Sequence, residues 1–213
     1  MLSLEILAIR AANFGQVPVY ADFRRMKTMG KKIRVILSVL AGLLLVSPAG
    51  RVFGQGVPVP AALEVPAGSS LLLHVYAKGV QVYSYSPLPA DTARLGWVLL
   101  EAKARLYTDA AYRQEAGKHY FNSAHHPVWA AVDGSTVEGA KIQQADAPVP
   151  DAVPWLLLKA TAVTGKGPLA STAFVQRVNT KGGKAPAGGA DGTHKGQTLE
   201  VDYTAEYLFY GSK

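Results

Sequence analysis

The chain contains no cysteine. That excludes a disulfide, a thiol nucleophile, Cys-ligated zinc, an iron–sulfur cluster and a lipidated cysteine behind a signal segment. Strong helical periodicity is also missing, and neither an internal repeat nor a heptad is found. No Gly-x-Ser-x-Gly elbow occurs, and no glycine-rich loop opens a helix with Lys-Ser/Thr, so a hydrolase elbow and a P-loop are both excluded. No cofactor motif is present, and no cofactor is expected.

An apparent abundance of positive charge, 22 Lys and Arg against 15 Asp and Glu, is local. Eight of the basic residues and two of the acidic ones precede Gln55, which leaves 14 against 13. A nucleic-acid footprint is a basic patch on the folded domain, so this composition speaks against a nucleic-acid partner.

Met29–Gln55 carries that early charge. Lys31, Lys32 and Arg34 form a basic n-region and Val35–Val46 a short apolar run. Val52-Phe53-Gly54 then offers permissive residues for cleavage before Gln55. The apolar run is shorter than the roughly 20 residues of a spanning helix. Residues 29–54 are therefore expected to be a cleaved signal peptide. The implied location is periplasmic or extracellular, with no stable membrane anchor after cleavage. Residues 1–28 precede a complete signal pattern. They read as a gene-model extension with the start at Met26 or Met29, or else as a long leader.

Residues 55–213 have the length of one domain, with enough chain for a core without staples. Their dominant period is two. In Thr198–Tyr210, Leu199, Val201, Tyr203, Ala205, Tyr207 and Phe209 share one face, and Glu200, Asp202, Thr204 and Glu206 the other. Trp97–Tyr107 alternates too, with Val98, Leu100, Ala102, Ala104 and Leu106 together. Lys78-Gly79 between two β-rich runs predicts a tight hairpin. Asp133-Gly134-Ser135 predicts a second, between His126–Val132 and Thr136–Gln143. Residues 164–168 predict a third, between Val153–Ala162 and Ala170–Asn179. Lys118–Phe121 is a short strand. Proline-rich Ala145–Pro154 and glycine-rich Lys181–Gly196 are loops, and Gln55–Pro66 is an extended lead-in. The fold class is all-β, an antiparallel sandwich or barrel of roughly eight to ten strands.

Five fragments in order carry a resemblance: GVQVYSY (Gly79–Tyr85), GKHYFNSAHHPVWAAVDGSTVEG (Gly117–Gly139), VPWLLLKA (Val153–Ala160), GPLASTAFVQRVNTKGGKAP (Gly167–Pro186) and VDYTAEYLFY (Val201–Tyr210). Together they resemble the exported domain-of-unknown-function family numbered 3455. The resemblance implies a secreted bacterial or fungal domain and no established activity. It also implies a Cys after the Gln-x-Tyr-x segment and another in the Gly-rich loop, where this chain has Tyr85 and Ala190. If those two normally pair, the loop here has lost a tether, and greater mobility of Lys181–Gly196 is expected.

Several residues offer chemistry. Arg177, Asn179, Gly182 and Gly183 combine a planar donor fork with backbone that a ligand can approach, which suits an anionic or polyhydroxyl molecule. The competing and slightly favoured reading is a structural Arg paired with a carboxylate and capping loop carbonyls. Trp129 beside His119 and Asp133 suits a sugar or polar ligand. Against this, Trp129 reads as core and Asp133 as a turn former. His119 and Asp133 are also the weak candidates for acid–base catalysis, and Ser135 would be the nucleophile of a triad lacking its elbow. His119, His125, His126, His194 and Asp133 are metal-ligand types, yet their spacing fits no helical metal pair, and no metal is expected.

The favoured expectation is an exported, non-catalytic binding module for a carbohydrate or small polar ligand. The alternatives are an exported hydrolase using His119 and Asp133, and a structural or partner-binding surface protein.

Overall fold

The computed structural model describes residues 58–188 and 191–212. The extension, the signal peptide and Ala190 lie outside these residues. Eight antiparallel strands follow one another around a closed barrel: β1 (Ser70–Leu88), β2 (Asp91–Tyr107), β3 (Glu115–Phe121), β4 (Pro127–Ala131), β5 (Thr136–Ala145), β6 (Trp155–Thr164), β7 (Phe174–Gly182) and β8 (Thr198–Gly211). β8 returns to β1, with Ser70 opposite Gly211 and Ser84 opposite Thr198. That ladder decides between sandwich and barrel, because it joins the last strand to the first and closes the sheet on itself.

Alternation along the strands sorts the residues. On β8, Tyr203, Ala205, Tyr207 and Phe209 are buried inside, while Glu200 and Asp202 are exposed. On β2, Ala102, Ala104 and Leu106 point inward, and Lys103 and Arg105 outward. A membrane-spanning barrel shows the opposite arrangement, with apolar residues facing out. Among the described residues no helix is long and apolar enough to cross a membrane. Val75, Val137, Val175, Phe209 and Leu169 pack the end of the barrel at which β1 begins.

The hairpins at residues 133–135 and 164–168 form as the turn residues require. Lys78-Gly79 does not form one. It lies inside β1, where Lys78 and Gly79 pair with Arg105 and Ala104 on one side and with Thr204 and Tyr203 on the other. The first reversal falls at Pro89-Ala90. Gly79 is there because the neighbouring strand passes so close that a Cβ would sit 2.0 Å from the Lys103 carbonyl oxygen. A glycine inside a strand pattern marks close backbone approach as readily as a turn.

The β2 alternation also breaks. Val82 pairs with Glu101 and Tyr83 with Leu99, so Leu100 is an extra residue. This bulge brings Leu99, not Leu100, into register with the buried Tyr83. The lead-in is more than extended chain. Ala61–Leu63 forms a 3₁₀ turn that seats Leu63 against Trp155, Leu157 and Val178 on the outer face of β6 and β7. Gln176 fastens it, its side-chain amide donating to the Leu63 carbonyl at 2.5 Å.

Gly79→Ala is expected to destabilise the domain by about 1–3 kcal/mol, as overpacking does. Gly188→Ala, where a Cβ meets nothing within 4 Å, should change stability by less than about 0.5 kcal/mol. Urea unfolding of the two variants beside the parent checks the contrast.

Candidate functional site

At the other end the barrel is open. β2 and β3 pair only from Ala104 and His119 down to Tyr107 and Glu115, so the wall parts above them. A cavity of about 460 Å³ enters there. Leu99, Phe121, Leu156 and Leu158 form its apolar wall; His119, Trp129 and Tyr207 form its floor; Lys141, Gln144, Pro154 and Arg177 supply polar atoms. The β3–β4 turn adds His125 and His126.

The floor is a packed aromatic set. His119 and Trp129 are cross-strand partners and stack with ring centroids 4.6 Å apart and an 11° angle between planes. Tyr207 meets both, at 5.2 Å and 5.3 Å. His119 is 3 % exposed and Trp129 and Tyr207 1 % each. The Nδ1 of His119 lies 2.9 Å from the Val128 carbonyl, which only accepts, so Nδ1 carries the proton. Burial first, with the nearby Arg177 charge assisting and the Val128 bond opposing, brings the imidazole pKa down to about 3. His119 is therefore neutral at ordinary pH. Trp129 Nε1 and Tyr207 Oη are buried and make no hydrogen bond among the described residues, and the same holds for Tyr203 Oη and Gln81 Nε2. Tyr203, Tyr207 and Gln81 come close enough for their polar tips to interact, without an aligned bond between them.

Arg177 reaches the cavity from β7, opposite Leu156 and Tyr207 on the flanking strands. Its Nε and Nη2 both donate to the Pro154 carbonyl, at 3.1 and 2.9 Å. Pro154 is held in turn by the docking of the proline-rich loop on β7. Val153 donates its N–H to Gly182 O, and the Thr180 hydroxyl donates to Val153 O at 2.6 Å. Lys141 donates to Gln144 Oε1 at 2.8 Å. In the adjoining turn, His126 and Asn122 engage the two oxygens of Glu138.

Thus the structure brings together Trp129, His119 and Arg177, with His125 and His126, on one cavity and sets Asp133, Ser135, Asn179, Gly182, Gly183 and His194 elsewhere. Asp133 sits in the β4–β5 turn, where its carboxylate accepts from the Ser135 N–H and hydroxyl at 2.9 and 2.7 Å. Those bonds lower its pKa. Ser135 is 1 % exposed and its hydroxyl is committed to Asp133. A general base works best with a pKa near the operating pH, and neither His119 nor Asp133 has one.

Asn179 stands at a β7 bulge with φ of 50°, its amide donating to Glu206 on the outer face. Gly182 and Gly183 also have positive φ, and a Cβ on Gly183 would lie 2.7 Å from the Tyr203 side chain. These glycines admit protein atoms. His194 lies in the glycine-rich loop, whose return is fastened to the Tyr85 backbone through Gly196 N–H and Gln197 O. Among the described residues no three metal-ligand side chains gather.

Tyr207 and Lys141 belong to the lining although sequence reasoning did not select them. The alternation of β8 had already placed Tyr207 on the inner face. Lys141 carried no signal, since the extra residue Ile142 breaks the alternation of β5.

Over residues 66–211 the chain matches the family described as protein of unknown function DUF3455. The chain belongs to this family. No curated protein and no solved structure matches it. The family segment contains all eight strands, and hence every residue that lines the cavity.

His119 makes a pH prediction. Its folded pKa is depressed, so between pH 6.5 and about 3 the unfolded chain takes up a proton that the folded one refuses. Stability therefore rises with pH in that window and falls on acidification, by up to about 1.4 kcal/mol per pH unit from this group. In urea titrations from about pH 6 to about pH 4, His119→Phe should show a visibly flatter dependence than the parent. Equal slopes would remove His119 as the cause.

Proposed function

We propose that the domain is an exported, non-catalytic binding module that holds a small polar molecule in the open end of its barrel. The observation that supports this best is the convergence of Arg177, Trp129 and His119, from three different strands, on one cavity. The volume suits the purpose, since ligand sites run from roughly 300 to 1,000 Å³. Barrels of about eight strands have room for one small ligand when their interior is not filled. The export part of the reading rests on the leader pattern at residues 29–54.

Two considerations narrow the reading. A sugar ring stacks on a free aromatic face, and Trp129 is buried, stacked on His119 and in T-shaped contact with Tyr207 and Phe209. A small polar molecule therefore fits better than a carbohydrate. The hydrolase alternative needs a base and an acid in reach of one substrate. Asp133 is not part of the lining, and neutral His119 is a weak base.

A thermal-shift screen of metabolites and short glycans tests the proposal. Hits are expected to lose most of their shift in Leu99→Trp, which narrows the mouth, and in Arg177→Gln, which removes the charge. Hits that keep their full shift in both variants would place binding elsewhere.

A further inference from the structure

We infer that the ligand of this cavity is an organic carboxylate with an apolar body, held through the outer edge of the Arg177 guanidinium. The inference rests on the binding role proposed above and adds the chemistry of the occupant.

The argument starts with Arg177. A guanidinium has five N–H donors and no acceptor. Its Nε–Nη2 edge is spent on Pro154 O, which orients the plane and leaves the Nη1–Nη2 edge. Among the described residues no carboxylate pairs with Arg177. No Asp or Glu lines the cavity, while Lys141 adds a second cation to it. A partly buried charge without a counter-charge is costly. An anion in the cavity supplies one, and a planar carboxylate matches the fork.

The remaining polar atoms agree. Two lining acceptors, Gln144 Oε1 and Pro154 O, are already engaged by Lys141 and Arg177. With one guanidinium edge of Arg177 unspent, the site fits a ligand group that accepts, and an ionised carboxylate is such a group. The Leu99, Phe121, Leu156 and Leu158 wall offers nothing to an inorganic oxyanion but covers a hydrocarbon or aromatic body.

The test is isothermal titration of the full chain with phenylacetate and hexanoate, with the corresponding amides, and with inorganic phosphate. At least one carboxylate should bind about tenfold or more tighter than its amide. Arg177→Gln should weaken the acid until acid and amide bind within about twofold of each other, and Arg177→Lys should keep only part of the preference. Circular dichroism of each variant establishes that it is folded. Equal binding of acid and amide, or a preference that survives Arg177→Gln, overturns the carboxylate assignment and leaves the cavity reading standing. Phosphate binding as tightly as the organic acids overturns the apolar body. Failure of both acids to bind at millimolar concentration overturns the inference. If ligands bind and Leu99→Trp changes none of the affinities, the cavity reading itself falls.

Discussion

The pairing of β1 with β8 governs the molecule. Once those strands meet, the sheet has a fixed circumference and the interior a fixed bore, just wide enough for side chains. Every inward position must then share one volume. Ala77 opposite Ala205, and Gly79 between Ala104 and Tyr203, give room on one side for Trp129, Tyr207 and Phe209 on the other. Closure also pairs the first and last strands, which would otherwise be the edges of the sheet, and leaves an unpaired side on β2 above Ala104. The packed end and the open end follow from what the strands bring to each. At one end lie Val75, Val137, Phe209 and Leu169. At the other, short ladders and a split wall leave space above the aromatic floor.

The path from fold to site runs through connections that would otherwise look incidental. The proline-rich loop bridges onto the end of β7 through Ala152 and Gly183, and the Gly182 and Thr180 bonds to Val153 hold it there. That docking fixes the Pro154 carbonyl, and the carbonyl fixes the plane of Arg177. Tyr83 adds a clamp by donating its hydroxyl to Gly183 O at 2.6 Å. The glycines of this segment let the loop settle against the barrel, so their contribution to the site is indirect. A donor fork immobilised before a ligand arrives loses less entropy on binding than a free one.

Much of this was legible in the residues. The last strand shows its inner face through strict alternation, and the Asp-Gly turn announces its hairpin. The fragments spread over residues 79–210 carried the family. What failed did so for identifiable reasons. Gly79 mimics turn punctuation because glycine serves both reversal and close approach. The Leu100 bulge defeats a period-two reading halfway along β2, since one extra residue exchanges the faces. Of the site, Arg177, Trp129 and His119 stand out by residue type, and only register brings them together. Asn179 and the paired glycines drew notice for a sound reason, unusual backbone. The structure uses that backbone for a bulge and for packing. Lys141 was invisible because a bulge has no sequence mark.

The neutral His119 ties the stability of the barrel to the electrostatics of its mouth. Desolvation beneath the cavity keeps the ring uncharged, and the Arg177 field acts in the same direction. A protonated imidazole at that depth would be repelled by the Arg177 charge, and the stack on Trp129 would lose its neutral partner. The arrangement therefore divides the labour. The floor contributes shape but no charge. The charge sits higher, on a guanidinium that does not titrate in any physiological range. The part of the attraction for anions that Arg177 supplies therefore does not vary with pH. The burial of His119 makes acid conditions a threat to the fold, because the proton that the folded ring refuses is taken up on unfolding.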